Sequence, residues 1–368
     1  MPQTVRKNLS QNYSMDNQIK ARLQKAVNDK VFPGCVLGVV TKDDKRKIYS
    51  VGTLTYDADS PAVKGDTIYD VASITKAIPG GAVLLKLIDE GKLGLGDRLV
   101  DYIPEFGNFE NKKEVLIRHI LTYTLDLDVP PMSTLKDKSA EEITRLIIES
   151  PLKSLPGTKY LYTNATAFFI GFIVEKVTGQ KIDELANEYF FRPLQMNRTT
   201  FHPNKFPKNE IAPTEIDDWR GGVVHGEVHD ESTYVLRNKY IVSIAGLFST
   251  APDLLNFQEM LLNRGSYKGK KYFSPEIVKD MHTNQIADIG QYEGLGWELN
   301  APIYMGNFSH ERMFGKTGFT GCLVLTDPIK GVGFTLLSNR TYPKRPLDSS
   351  AINEVRRDIA NIVFGSKY

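Results

Sequence analysis

Three serines in this 368-residue chain stand three positions before a lysine, a spacing at which an amine can reach a hydroxyl. The pairs are Ser73 with Lys76, Ser133 with Lys136, and Ser150 with Lys153. Positions i and i+3 lie on one face at the start of a helix. Only the first pair precedes an apolar, helix-like run, at residues 82–88. The sequence therefore favours Ser73 and Lys76, and the helix N-terminus would add N–H groups that suit an oxyanion.

Acyl transfer to serine needs more than this pair, because the hydroxyl is a poor nucleophile until a base removes its proton. The leaving group must also receive a proton. The chain contains one Tyr-x-Asn triplet, Tyr162-Thr163-Asn164, and one Lys-Thr-Gly triplet, Lys316-Thr317-Gly318. The first triplet offers a phenol and an amide, and the second offers a cation. Gly318 would let a substrate backbone approach the chain closely.

The three triplets, in this order, resemble those of the serine β-lactamase and penicillin-binding protein superfamily. The Tyr-x-Asn version is similar to that of the class C β-lactamase branch, which also holds D,D-peptidases and family VIII carboxylesterases. Asp66–Lys76 resembles the family's approach to its nucleophile, and the resemblance extends over roughly residues 18–365. The other similar segments are Tyr162–Met196, Gly246–Gly265, Tyr292–Trp297 and Gly315–Arg340.

The resemblance implies a set of catalytic residues at the first two triplets. Ser73 would be the acylated nucleophile. Lys76 and Tyr162 would share the proton transfers, with either of them as the base. Asn164 would orient Lys76 and touch the substrate.

The resemblance also implies how the substrate is held at the third triplet. Lys316 would support a tyrosinate and bind a substrate carboxylate, with Thr317 and Gly318 beside it in the binding site. The backbone N–H groups of Ser73 and Phe319 would form the oxyanion hole. This chemistry requires no metal and no cofactor.

Two stretches depart from the family pattern. Where relatives often carry Thr-His-Thr-Ser-Gly-Leu, this chain has Thr-Tyr-Thr-Leu-Asp-Leu at residues 122–127. That loop, Tyr123–Leu127, usually borders the cleft, so the choice of substrate stays open. Pro79 follows closely after Lys76 and removes one backbone donor, which predicts a local kink.

Two histidines, His225 and His229, have the spacing of metal ligands on one face of a helix. Glycines at 221, 222 and 226 make a helix unfavourable there, and no third ligand is evident. His229-Asp230 could also belong to a Ser-His-Asp triad, but the chain has no Gly-x-Ser-x-Gly. We therefore expect structural roles for these histidines and no metal site.

Composition narrows the class of partner. The chain has 46 Lys and Arg against 44 Asp and Glu, a formal charge of +2, which argues against nucleic acid or anionic membrane as the main partner. We expect a small-molecule or peptide substrate; the oligomeric state stays open. Cys35 and Cys322 lie in apolar runs and are expected to be buried thiols.

The N-terminal sequence bears on location. The first twenty residues contain no apolar signal segment, and no stretch of the chain reads as a membrane span. This favours a cytoplasmic location, or an extracytoplasmic one if the chain is a mature form.

Element order predicts an α/β (α+β) fold of the β-lactamase and transpeptidase type. Strand-like runs lie near both ends, at Cys35–Thr41, Arg46–Val51, Leu295–Leu299, Cys322–Thr326 and Val332–Leu337. We expect a mostly antiparallel sheet with flanking helices, built from residues 1–70 and 240–368. Residues 71–239 would form an inserted, mostly helical lobe, with the active site in the cleft between the two.

These features lead to one main hypothesis and two alternatives. The main one is a serine hydrolase that forms an acyl-enzyme on Ser73 and cleaves an ester or amide. Lys316 directs the expected substrate toward carboxylate-bearing D-Ala-D-Ala-type peptides or β-lactams. The alternatives are a promiscuous short-chain carboxylesterase and, from another class, a catalytically idle ligand sensor of the penicillin-binding type.

Overall fold

The structure, a computed structural model, describes residues 3–368, with side chains from Met15 onward. Helices are numbered along the chain. In the described residues the α-helices are α1 Gln3–Asn28, α2 Ala82–Asp89, α3 Leu99–Tyr102, α4 Ile117–Leu121, α5 Ala140–Glu149, α6 Asn164–Thr178, α7 Ile182–Ala186, α8 Glu231–Leu236, α9 Ala251–Leu262, α10 Pro275–Met281, α11 Pro302–Met305 and α12 Ser350–Gly365.

The strands form one large antiparallel sheet and three short pairs. The strands are β1 Gly34–Thr41, β2 Arg46–Gly52, β3 Tyr69–Asp70, β4 Glu215–Asp217, β5 Gly222–Val224, β6 Phe248–Ser249, β7 Ser266–Tyr267, β8 Lys270–Lys271, β9 Glu298–Leu299, β10 Phe314–Thr317, β11 Leu323–Asp327 and β12 Val332–Ser338. The large sheet has the order β2-β1-β12-β11-β10-β9, so strands from both ends of the chain meet at its centre. The predicted antiparallel sheet is confirmed.

The central strands β1 and β12 are buried along their whole length. They pair antiparallel with Cys35 opposite Ser338. Helix α9 packs on one face of the sheet, and α1 and α12 pack on the other. Burial on both faces explains why these strands are continuous apolar runs rather than alternating ones. Cys35 and Cys322 are free, buried thiols, as predicted.

Local sequence signals set several helix ends. Ser139 and Glu142 form a reciprocal capping box at the start of α5. Gly179 ends α6 in a left-handed conformation, φ 71°, which glycine adopts without steric strain. Helix α9 begins behind Thr250, whose side chain accepts the Asp253 N–H.

Other boundaries differ from the prediction. Helix α1 starts at Gln3, so Asp16 lies inside it, where its carboxylate pairs with Lys47. The predicted strand Leu295–Leu299 is reduced to β9, since glycines at 294 and 296 interrupt it. The division of the chain into two lobes stays a prediction.

The region after Ser73 is not one helix. Residues Ala72–Lys76 form a 3-10 turn, and the backbone leaves helical geometry at Ile78, with φ −121° and ψ 108°, before α2 begins. The kink predicted at Pro79 is therefore present, one residue earlier. Within residues 3–368, we find no helix with both the length and the apolar character of a membrane span.

Candidate active site

Ser73 lies on a sharp bend that follows β3, within the 3-10 turn Ala72–Lys76 (the Ser73 turn). Ala72 has φ 48°, a left-handed conformation that is unusual for a residue with a Cβ. A carboxylate oxygen of Asp70 accepts the Ala72 N–H at 2.8 Å, and burial raises the pKa of Asp70. Asp70 thus stabilises the bend that carries Ser73.

Ser73 and Lys76 are in direct contact, with Lys76 Nζ 2.9 Å from Ser73 Oγ. A 3-10 turn has three residues per turn, so side chains at i and i+3 lie directly above one another. Lys76 is only 1% exposed, and its Nζ also donates to the Ile244 carbonyl oxygen at 2.8 Å. The predicted contact is present, although no long helix starts at Ser73 to lend its dipole.

Asn164 is held away from Lys76. It opens α6 behind the N-cap Thr163, and its Nδ2 donates to Asp230 Oδ2 at 3.1 Å. Asp230 accepts the Asn164 amide and the Ile244 carbonyl accepts from Lys76, so the role of Asn164 in orienting Lys76 stays a prediction. Contact of Asn164 with substrate stays a prediction.

Tyr162 lies between the two lysines of the motifs. Its ring centroid is 5.4 Å from Lys76 Nζ and 4.5 Å from Lys316 Nζ. Tyr162 is 38% exposed, whereas both lysines are buried. Two cations near one ring favour negative charge that develops beside it. The structure therefore assembles Ser73, Lys76, Tyr162 and Lys316 in one place.

Lys316 lies on β10, and its charge is matched inside the protein. Its Nζ is 3.1 Å from Glu298 and 3.8 Å from Glu293, and the rings of Tyr123 and Tyr162 lie 4.5 Å from it. Burial alone lowers the pKa of Lys316, but Tyr123 and the two glutamates hold it well above its ordinary value. The side chain is fully buried and offers no open surface, and binding of a substrate carboxylate by Lys316 stays a prediction.

The acids beneath Lys316 were not anticipated from the sequence. Glu293 is fully buried, and Tyr160 Oη donates to it at 3.2 Å. Burial raises the pKa of Glu293 to about 8, although Lys316 acts in the opposite direction. Glu298 carries the closer contact to Lys316. The available signal was two glutamates five positions apart in an otherwise apolar, glycine-rich run.

The loop after β10 packs directly on the chain that leads to Ser73. A Cβ on Gly318 would lie 2.4 Å from the Val71 carbonyl oxygen, so the position requires glycine. The close approach predicted for a substrate backbone is therefore made by the protein's own backbone. Thr317 ends β10, half-buried and paired with β11.

Two backbone donors remain open beside Ser73. In residues 3–368 neither the N–H of Ser73 nor that of Phe319 donates to another group. The Ser73 turn lies against β10, which leads into Phe319 through Gly318. Both N–H groups are therefore free to act as the predicted oxyanion donors, and that role stays a prediction.

The histidines singled out above have structural partners. His229 Nε2 is 2.8 Å from Glu215, and its ring stacks on Phe319 with centroids 5.7 Å apart. Burial raises the pKa of Glu215, but His229 and Arg345 outweigh it and hold that pKa at about 2. His225 Nε2 faces two backbone carbonyl oxygens at 2.7 and 2.8 Å. The described part of the chain contains no cluster of three or more metal-binding side chains.

A family model described as Beta-lactamase matches residues 19–357, which is most of the chain. The chain belongs to the Beta-lactamase family. A relative in Escherichia coli (strain K12), named "Putative D-alanyl-D-alanine carboxypeptidase", is 32% identical over 305 residues, which cover 75% of this chain and 70% of the relative. A protein of the same name in Salmonella typhimurium is 29% identical and covers 78% of this chain and 72% of its own length. The resemblance drawn from the triplets is confirmed.

Solved structures share the fold at lower identity. EstCE1, described as a hydrolase with promiscuous acyltransferase activity, has a TM-score of 0.76 at 19% identity and covers 96% of this chain and 99% of its own. Simvastatin synthase (LovD) from Aspergillus terreus has a TM-score of 0.74 at 16% identity, and the match covers 95% of this chain and 98% of that one. An octameric penicillin-binding protein homologue from Pyrococcus abyssi has a TM-score of 0.71 at 21% identity. The match covers 95% of this chain and 78% of that one.

These similarities establish the fold and the class of the protein. It has the β-lactamase and transpeptidase fold, and it is a serine hydrolase of the β-lactamase and D,D-peptidase type. The three solved structures named above are below 25% identical, so they support the fold alone.

Proposed function

We propose that the protein forms an acyl-enzyme on Ser73 and hydrolyses esters or amides whose acyl group carries no free carboxylate at the Lys316 side of the cleft. The observation that carries the chemistry is the 2.9 Å contact between Lys76 Nζ and Ser73 Oγ. The observation that carries the substrate class is the burial of Lys316 under two tyrosines and against Glu298.

Acylation follows from the contacts around Ser73. Lys76 in its neutral amine form takes the hydroxyl proton as Oγ attacks the carbonyl carbon; in the alternative, Tyr162 in its phenolate form takes that proton. The carbonyl oxygen becomes an oxyanion, which the N–H groups of Ser73 and Phe319 stabilise. The tetrahedral intermediate collapses, the bond to the leaving group breaks, and the leaving group takes the proton from Lys76 or Tyr162.

Deacylation repeats these steps with water as the nucleophile. Lys76 or Tyr162 accepts a proton from the attacking water, and the same two N–H groups hold the second oxyanion. The acid leaves, and the proton returns to Ser73 Oγ. Tyr162 is the exposed member of the pair, so it is the better placed of the two to reach a leaving group or a water in the cleft.

The substrate class follows from charge. A carboxylate that leaves water needs a partner of opposite charge, or its burial is costly. Lys316, the cation predicted for this task, already faces Glu298 at 3.1 Å and is covered by Tyr123 and Tyr162. An uncharged acyl chain meets no such cost at this position.

A second candidate is hydrolysis of D-Ala-D-Ala-type peptides, with β-lactams as analogues. The observation in its favour is the name of the relatives at 29–32% identity. Such substrates end in a carboxylate, so under this candidate Tyr162 and Tyr123 would have to leave the face of Lys316, or another cation would have to bind the carboxylate.

The test uses a matched pair of substrates, p-nitrophenyl hexanoate and the p-nitrophenyl monoester of adipate, which differ in the terminal methyl and carboxylate. We expect kcat/KM for hexanoate to exceed that for adipate by at least roughly tenfold, or ~1.4 kcal/mol. A D-Ala-D-Ala peptide and a β-lactam are assayed beside them. Preference for adipate would contradict the proposed substrate class, whereas hydrolysis of the peptide, whose carboxylate lies in the leaving group, would support the second candidate.

The nucleophile is tested by intact mass after each incubation. Ser73→Ala should abolish both turnover and the acyl adduct, whereas Ser133→Ala, from another Ser-x-x-Lys pair, should retain them. An adduct that persists on Ser73→Ala would refute the proposed nucleophile. A stable β-lactam adduct without turnover of any substrate would indicate a ligand-binding protein.

A further inference from the structure

Two guanidinium groups from distant parts of the chain hold the loop Gly318–Cys322. Arg356, on helix α12, donates through Nη2 to the carbonyl oxygens of Gly318 at 2.9 Å and Cys322 at 2.8 Å. Arg340, which follows β12, donates through Nε to the carbonyl oxygen of Phe319 at 2.7 Å. Both arginines are buried, at 4% exposure. The carbonyl oxygens of the loop that carries Phe319 are thus held by two buried, positively charged side chains.

Arg356 has an unusual set of partners for a buried cation. Its other partner is the amide oxygen of Asn353 at 2.8 Å, and no carboxylate forms an ion pair with it in residues 3–368. Burial lowers the pKa of Arg356 to about 10, with Arg340 acting in the same direction, so the group stays charged at neutral pH. A buried charge without a counter-ion is costly. Because no carboxylate neutralises it, the positive charge of Arg356 polarises the peptide groups whose carbonyl oxygens it contacts.

The position of those peptide groups links Arg356 to the candidate active site. The Gly318 carbonyl and the Phe319 N–H belong to one peptide unit. A charged donor on the carbonyl oxygen withdraws electron density from that unit and strengthens its N–H as a donor. We propose that Arg356 is a positioning residue that fixes and polarises the Gly318–Phe319 peptide, so that the Phe319 N–H binds the oxyanion more tightly.

This inference rests on the proposed function, because it assumes that the Phe319 N–H is an oxyanion donor. Arg340 supplies an internal comparison. Its acceptor, the Phe319 carbonyl, belongs to the next peptide unit, whose N–H is that of Thr320. Arg340 therefore braces the same loop without polarising the proposed donor. A purely structural role predicts similar effects for both arginines, whereas our proposal predicts a larger one for Arg356.

The experiment compares Arg356→Met, Arg356→Lys and Arg340→Met with wild type on p-nitrophenyl hexanoate. Arg357→Met, the next position on α12, is the control. We expect Arg356→Met to lower kcat by about 10-fold with KM unchanged within twofold, since the donor is weakened and not removed. Arg356→Lys keeps the charge and should recover part of kcat. Arg340→Met should lose less than threefold.

A second readout separates transition-state from ground-state binding. The affinity for an alkyl boronic acid, whose tetrahedral adduct mimics the oxyanion, should fall by the same factor as kcat in Arg356→Met. The affinity for hexanoate, the product, should stay within twofold. If Arg356→Met does not fold, as judged by circular dichroism, the same comparison of kcat and boronate affinity is made on Arg356→Lys.

Three outcomes would overturn the inference. They are wild-type kcat in Arg356→Met, a loss of kcat as large in Arg340→Met as in Arg356→Met, or a loss of kcat without loss of boronate affinity. Failure of the proposed function is distinguishable, because wild type itself would then form no acyl adduct on Ser73 and the variants would not enter the comparison.

Discussion

Lys76 and Lys316 are both buried lysines that face the ring of Tyr162, yet their surroundings are opposite. The Nζ of Lys76 contacts neutral oxygen atoms, the Ser73 hydroxyl and the Ile244 carbonyl. The Nζ of Lys316 faces two glutamates and two tyrosine rings. Residue type and depth of burial are therefore the same, and only the partners differ.

The difference separates a group that can exchange a proton from one that supplies a fixed charge. Carboxylates beside a lysine stabilise its charged form and make release of the proton more costly. Lys316 is in that position, and its pKa is held well above the ordinary value. Lys76 has no carboxylate among its hydrogen-bond partners, and it touches the hydroxyl that must be deprotonated. We infer that Lys76 takes part in proton transfer and Lys316 sets the local potential.

The largest effect is expected from Lys76→Arg. The guanidinium keeps a positive charge but cannot give up its proton, so it cannot act as a base. We expect kcat for p-nitrophenyl hexanoate to fall by about 10⁴-fold, the upper end of what a general base contributes. The measurement is single-turnover kinetics with detection of the acyl-enzyme by mass. Lys136→Arg, in another Ser-x-x-Lys pair, should retain wild-type kinetics. Substantial activity in Lys76→Arg would mean that a positive charge at this position is sufficient.

Lys316→Met is expected to act mainly on stability. It leaves the half-buried Glu298 without its cation, and breaking a buried pair typically costs about 3–5 kcal/mol of unfolding free energy. The double variant Lys316→Met with Glu298→Gln should regain a large part of that loss, because the unpaired charge is removed as well. Urea unfolding at pH 7 measures both.

The exposed Lys344 provides the control for this cycle, since Lys344→Met should change the unfolding free energy by no more than about 0.5 kcal/mol. Equal stability of Lys316→Met and wild type would show that the two glutamates do not depend on Lys316. The comparison between the two lysines would then lose its electrostatic basis.

The last prediction, which has the smallest effect per unit of pH, concerns the contribution of Glu293 to the free energy of unfolding. Its pKa is about 8 in the folded protein against an ordinary value of 4.5, so the folded state holds one more proton than the unfolded state between these values. The stabilisation is complete below pH 4.5 and is lost as pH rises to about 8, by at most about 1.4 kcal/mol per pH unit. Glu293→Gln removes this dependence.

We therefore expect the unfolding free energy of Glu293→Gln, relative to wild type, to rise steadily from pH 5 to pH 8. Urea denaturation at several pH values in that range measures it. A relative stability that is constant over the range would mean that Glu293 is ionised in the folded state and that Lys316 is paired with two charges.

Much of the fold was predictable because its signals are local. The apolar runs of β1 and β12, the capping box at Ser139 and the glycine at 179 each act within a few residues. The Ser73 turn was not predictable as such. Its shape depends on the Asp70 carboxylate and on the break at Ile78, and neither follows from helix propensity. The sequence pattern there indicated a helix start, and tertiary contacts replaced it with a 3-10 turn.

The sequence by itself determined which residues can do the chemistry, since the order of three triplets identified Ser73, Lys76, Tyr162 and Lys316 and pointed to the family. Only the tertiary structure decided how each of them is used. It moved Asn164 to Asp230, placed Glu298 beneath Lys316, and set Arg356 behind the loop of Phe319. Residue spacing determines what neighbours along a turn can reach. Charge balance at a buried site depends on partners far apart in the chain, which only the folded structure brings together.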